Sequence, residues 1–199
     1  MKRLRRRSGY PSRPAAARAI ARAGRIAWRP WDRDELEQAF RKYRQAGAVG
    51  ENWVAWADCF TDGADYVEHV FGRMKGRETI RAWIKPIMAQ FGELYTAYEW
   101  HVVDPASGRV VVYMQNRRDH PGGKGTIDFP GVTILEYGGG GKWKYEEDFW
   151  AVPQAQATSK EYAEACAKHD PEHAKKQTRL DWGRGPAWTH GAPSYAARR

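Results

Sequence analysis

One stretch constrains the fold more than any other: residues 58–84, DCFTDGADYVEHVFGRMKGRETIRAWI. It reads as a helix end, a short strand, a glycine turn and a new amphipathic helix. Residues 65–71 alternate, so Asp65, Val67, His69 and Phe71 are expected on one strand face. Gly72 and Gly76 punctuate. From Arg77 to Phe91 the apolar residues Ile80, Trp83, Ile84, Ile87, Met88 and Phe91 recur at helical spacing and form one stripe. This order places an ionisable His at the end of a strand whose face-mates are largely apolar, as in a cavity with one working group.

The flanking sequence supplies the other layers. Asp32 with Glu35 three residues on is a capping-box arrangement, and Leu36, Phe40 and Tyr43 then give a first helix one apolar face. Gly47 and Gly50 break it. A second helix begins near Glu51 and Asn52 and buries Trp53, Trp56 and Phe60. Pro86 is expected to kink the third helix. After Gly92 the pattern changes to strands over residues 95–103, 109–118, 126–137 and 142–152. Pro130-Gly131 suggests a bulge in the third of these. Three helices over an antiparallel meander is an α+β arrangement, with the bent sheet enclosing a pocket. Past Pro153 the chain is expected to leave this domain, and Thr158 with Glu161 suggests a capped helix to about Lys168.

Charge divides the chain. Residues 1–33 hold eleven Lys/Arg and one acid, whereas residues 34–154 hold fourteen basic and eighteen acidic residues, so the net +9 lives mainly in an arm. Residues 1–30 are therefore expected to be a basic disordered arm, residues 31–153 the domain, and residues 154–199 a C-terminal helix and irregular tail. A basic tail on an acidic fold argues against a nucleic-acid surface except through the arm itself. Two cysteines, Cys59 and Cys166, make no disulfide framework and suit a reducing, cytoplasmic setting. No run of apolar residues is long enough to span a membrane. The glycine run before Lys142 is followed by neither Ser nor Thr and is no phosphate loop. His169 and His173 are separated by Pro171, so no metal site is expected there.

The "CF" helix end, the "DYVEH" strand, "GRMKGRETIRAW", and the sheet segments "NRRDHPGG" and "DFPGVTILEYGGGGKWKYEEDFW" together resemble the SnoaL-like branch of the nuclear transport factor 2 (NTF2)-like superfamily. The resemblance covers residues 31–153 and implies an α+β cone: three N-terminal helices packed on a curved antiparallel sheet enclosing a pocket. Similarity to the ketosteroid isomerases of that superfamily places His69, the end of Val67-Glu68-His69, where their general-base Asp stands. An imidazole suits proton transfer near neutral pH. On the last strand, Glu146, Asp148 and Trp150 share the face that the resemblance turns inward. Two carboxylates there would orient the His69 ring, or one would hold a raised pKa as an acid; alternatively the acids mark a solvated edge. Tyr43 matches the isomerases' oxyanion-donating Tyr with a one-residue gap, and Thr133 stands where their second donor, a protonated Asp, would be. The epoxide-hydrolase branch is built on an inward Asp-Arg-Asp network, and the sequence places no Arg in the cavity.

The expected catalytic set is thus His69, Asp148, Glu146 and Tyr43, with Trp56, Val67, Trp83, Met114, Asn116, Thr133 and Trp150 lining the pocket. The expected function is acid–base chemistry, by an isomerase, dehydratase or cyclase, on a small hydrophobic, cyclic substrate without a cofactor or metal. The competing reading is a ligand-binding or assembly domain without catalysis. The resemblance also implies a homodimer through the outer sheet face, with Tyr113, Tyr145 and Phe149 at its centre.

Overall fold

The computed structural model describes residues 30–176, apart from Lys124. The basic arm and the tail past residue 176 lie outside the described residues.

Helix α1 (Arg33–Arg44) opens on Asp32, whose Oδ1 accepts from the Glu35 N–H at 3.0 Å. The box is not closed reciprocally, because the Glu35 carboxylate accepts instead from the Tyr137 hydroxyl at 2.5 Å. Leu36, Ala39, Phe40 and Tyr43 are the buried stripe. A π-helical turn (Gln45–Val49) carries the chain toward the short helix α2 (Trp53–Ala57), capped by Asn52 Oδ1 on the Ala55 N–H at 3.0 Å. Gly47 is required there, since a Cβ would fall 2.5 Å from Trp56 Cδ1.

Strand β1 (Phe60–Glu68) begins five residues earlier than residue 65 and ends before His69. Phe60 is therefore its first residue rather than part of α2. Its buried positions are Phe60, Ala64, Tyr66 and Glu68, the opposite parity from the one expected. The reason lies in two polar groups. Asp65 pairs with Arg73 of β2 (Gly72–Lys75) at 3.0 Å, holding Asp65 outward. Glu68 turns inward because its carboxylate accepts the turn amides of Val70 and Phe71, at 2.7 and 2.8 Å, and the Trp150 indole N–H. A buried carboxylate with three donors is tolerable, and Glu68 supports the β1–β2 turn from within.

Helix α3 (Arg77–Gln90) follows and continues through Pro86. Strands β3 (Tyr95–Asp104), β4 (Arg109–Asp119), β5 (Thr126–Gly139) and β6 (Lys142–Trp150) complete a six-stranded sheet in the order β2-β1-β6-β5-β4-β3. The sheet is mixed rather than wholly antiparallel, because β1 lies parallel to β6, with Tyr66 opposite Glu146 and Glu68 opposite Asp148. No bulge forms at Pro130: the β4–β5 register runs unbroken through the Gln115–Pro130 pair. Pro130 is tolerated because its carbonyl, which takes the Ala151 N–H at 3.3 Å, faces the side where β6 has ended, so the missing N–H leaves no ladder bond broken. The irregularities instead flank Tyr137.

Helix α4 (Val152–His169) starts six residues before Thr158, with Pro153 in its first turn, a position where the missing N–H costs nothing. Thr158 is an interior residue whose hydroxyl donates to the Gln154 carbonyl at 2.9 Å. The helix lays Tyr162 and Cys166 on Ile127 of β5, a small cluster beside the main core. A final turn, α5 (His173–Lys176), ends the described chain. Cys59 and Cys166 are both free and buried.

Candidate functional site

Helices α1–α4 and the concave sheet face enclose a cavity of about 530 Å³. Its wall is mostly aromatic and aliphatic, from Trp53, Trp56, Trp83, Tyr98, Met88, Met114, Phe129 and Trp150 among others. Into this wall the sheet inserts three carboxylates: Glu68 from β1, and Glu146 and Asp148 from β6. Parallel pairing of β1 with β6 is what sets them side by side.

Each carboxylate has a distinct setting. Asp148 accepts from the Thr133 hydroxyl at 2.5 Å on Oδ1 and from the Tyr66 hydroxyl on Oδ2. Burial raises its pKa to about 6, against the downward pull of those two donors, with the charges of Glu68 and Glu147 adding to the rise. Glu146, 1% exposed, accepts from the Tyr43 hydroxyl at 2.7 Å on Oε1, while its Oε2 has no partner among the described residues. Burial, then the charge of Asp148, pushes Glu146 well above the usual carboxylate range. The phenols of Tyr43 and Tyr66 are raised too, chiefly by burial, so both remain donors. Glu146 therefore holds its proton more tightly than an ordinary carboxyl, while Asp148 ionises at about pH 6. A neutral Glu146 takes the Tyr43 bond on its carbonyl oxygen and keeps a hydroxyl to give.

Asp148, Glu146 and Tyr43 thus meet in one cavity, and Trp56, Trp83, Met114, Asn116, Thr133 and Trp150 line it. His69 and Val67 do not. With β1 in the opposite parity, Val67 lies on the outer face and His69 sits half-exposed beyond the strand end, its Nε2 2.9 Å from Glu147 Oε1 and its ring stacked on Phe149 at 4.5 Å. The carboxylate beside the imidazole is Glu147, not Asp148.

Glu68, Tyr66 and Tyr98 are cavity residues that sequence reasoning passed over. The signal for Glu68 and Tyr66 was the parallel-pairing register, which alternation within one strand does not reveal. Arg118 is a fourth. It lines the cavity from β4, yet its Nε bonds Glu93 at 3.0 Å rather than any inward Asp, so the described residues form no Asp-Arg-Asp network around Asp148.

The described residues contain no helix long and apolar enough to cross a membrane. No protein of curated function matches the chain. Among solved structures, an LEH-like epoxide hydrolase of M. tuberculosis aligns over 68% of this chain and 96% of its own, at 13% identity and a TM-score of 0.54. A protein with a ketosteroid isomerase-like fold from Catenulispora acidiphila, crystallised with trimethylamine, aligns over 62% of this chain and 92% of its own, at 20% identity and a TM-score of 0.52. A candidate SnoaL-like polyketide cyclase from Jannaschia sp. aligns over 65% and 94%, at 19% identity and a TM-score of 0.51. At these identities the likeness is one of fold. The sequence profile of the SnoaL-like domain matches residues 40–146, more than half of the chain, and with the cone described above it makes this protein a member of the SnoaL-like family.

Proposed function

We propose that this protein is an acid–base enzyme, an isomerase, dehydratase or cyclase, acting on a hydrophobic cyclic substrate within the cavity. The observation that carries the reading is the pair of Glu146 and Asp148, two residues apart on one face of β6 in an apolar cavity, with Glu146 Oε2 unpartnered among the described residues. Two like charges this close in an apolar site cannot both ionise at low cost, so one carboxyl stays neutral at neutral pH. Asp148 takes a proton from a substrate carbon or hydroxyl. Glu146, through its unpartnered Oε2, gives one to a substrate oxygen. One proton enters the pair and one leaves, so its net charge stays constant while the negative charge passes from one residue to its neighbour. Tyr43 then stabilises the Glu146 carboxylate that results. The polyketide-cyclase and epoxide-hydrolase names carried by structures of this fold are compatible with such chemistry.

A second reading, ligand binding without turnover, draws support from saturation: both Asp148 oxygens and both Glu68 oxygens already accept protein donors. A thermal-shift screen with steroids, terpenoids and polyketide-like aromatics, followed by turnover of whatever stabilises the chain, separates the two. Stabilisation with conversion that fails in Asp148→Asn supports the enzyme. Stabilisation with no conversion supports the binding domain, and no stabilisation by any apolar ligand overturns both.

A further inference from the structure

The carboxylate pair occupies only one end of the cavity. The Asp148 row crosses the sheet through Thr133 to Val112. Arg118 lies six residues further along β4, about 20 Å at roughly 3.4 Å per residue. It is 4% exposed, and it lines the same cavity together with Asn116, Gln156 and Ser159. Its guanidinium is only partly used. Nε bonds Glu93 at 3.0 Å, Nη2 reaches Ser159 Oγ at 3.5 Å, and the group sits over the Tyr162 ring at 5.4 Å. Nη1 is buried with no partner among the described residues. The neighbouring Arg117 is a control: on the outer face, it spends its Nε on Asp128 at 2.8 Å and its Nη2 on Glu99 at 3.3 Å. A buried guanidinium N–H₂ without an acceptor is costly unless something else supplies one.

We infer that Arg118 is a recognition residue for an anionic oxygen group, a carboxylate or its equivalent, carried by the cavity's ligand at the end remote from the reacting centre. This inference rests on the apolar-ligand reading above and narrows it. The substrate class becomes an elongated, mostly apolar molecule with an acidic head. The chemistry suits the position, because a guanidinium takes a planar oxyanion through paired N–H donors, and two donors on Nη1 are unspent. Distance along β4 keeps the head away from the Asp148 charge. Glu93 balances the charge of Arg118 from within the protein.

The test uses two dyes of nearly the same aromatic body, anilinonaphthalene sulfonate and N-phenylnaphthylamine, which differ in the anionic group. Both are titrated by fluorescence into the full chain, and the quantity read is the ratio of their dissociation constants. The wild type is expected to prefer the sulfonate. Arg118→Gln should lose that preference by about tenfold to a hundredfold, the worth of a charge-assisted hydrogen bond or two. Arg118→Lys should keep part of it. Because Arg118 also ties α4 to the sheet, Glu93→Gln gives an independent arm. Freeing the guanidinium from its internal partner should tighten the sulfonate several-fold and leave the neutral dye unchanged. If the neutral dye binds and the ratio is unmoved in all three variants, Arg118 is a structural tie and the inference falls while the apolar cavity stands. If neither dye binds the folded chain, the apolar-ligand reading falls and takes the inference with it.

Discussion

Replacing Asp148 by Asn should change how stability depends on pH more than it changes stability at any one pH. The Asp148 carboxyl is raised from an ordinary 3.8 to about 6 by burial. A carboxyl whose folded pKa lies above its unfolded value binds its proton more tightly in the native state. Stability therefore falls as pH rises through the window between the two values, and the loss is complete above about pH 6. At ~1.36 kcal/mol per pKa unit, a displacement of roughly two units costs about 3 kcal/mol at neutral pH. Asn has no proton to lose and keeps the shape, so the Asp148→Asn chain should escape this slope. The amide changes one acceptor into a donor, which the hydroxyls of Thr133 and Tyr66 can meet by rotating. Removing the charge also relieves Glu146, whose pKa should move down, since Asp148 is the second cause of its elevation. The assay is urea denaturation of wild type and variant at intervals from pH 3.5 to pH 8, with the difference in unfolding free energy plotted against pH. The variant should gain on the wild type by about 3 kcal/mol between the acid and neutral ends, equivalent to several degrees in melting temperature for a domain of this size. A difference that stays flat across the series would show that Asp148 titrates as an exposed acid does, and the charge assignment of the site would be wrong.

Turnover of a substrate found by the screen should drop by roughly 10²–10⁴-fold in Asp148→Asn, the usual worth of a general base, whereas His69→Gln should leave it within about twofold. The rate should rise with pH through about 6 as Asp148 ionises and decline at higher pH as Glu146 loses its proton, and Glu146→Gln should remove the alkaline limb from the profile. Gly47→Ala drives a methyl into the Trp56 indole and should cost about 1–3 kcal/mol by denaturant titration; an unchanged midpoint would mean that the π turn yields freely. On the outer sheet face Trp100, 49% exposed and stacked on Tyr113 at 5.3 Å, joins Tyr113, Tyr145 and Phe149 at the centre of the proposed homodimer surface. Sedimentation should give a dimer mass that Trp100→Glu reduces to a monomer, and a monomeric wild type would remove the proposal.

Periodicity made most of the elements legible. The stripe from Ile80 to Ile84, the buried face of α1 and the four long strands follow directly from spacing, and strand ends differ by a residue or two. Glu146 and Asp148 were legible as face-mates because β6 alternates cleanly. His69 was not, for a physical reason. In β1 the side chains that would mark the inner face, Tyr66 and Glu68, are polar at their tips and are made tolerable by partners far away in sequence: Asp148, Trp150 and the turn amides. A hydrophobicity pattern scores Glu68 as exposed and the rest follows by parity. Arg118 escaped for the same reason, since its burial depends on Glu93 and on α4. Helix α4 carries in its first turn a proline that also reads as a domain exit, and only packing on Ile127 distinguishes the two meanings.

The parallel pairing of β1 with β6 has a consequence for how the chain comes together. Its partners, Tyr66 with Glu146 and Glu68 with Asp148, are each eighty residues apart in sequence. While the ribosome is still making β3 to β5, β1 has only the β2 hairpin beside it, and Tyr66 and Glu68 have no acceptor or donor from β6. The local hairpins of β3, β4 and β5 can close early, but β1 must wait for the last strand, and such long-range closure is the slow step in sheet formation. The most polar part of the core is thus the last to find its partners. Until then the edge of β1 stands open in a partly formed cone, the feature by which an incomplete chain pairs with another copy of itself.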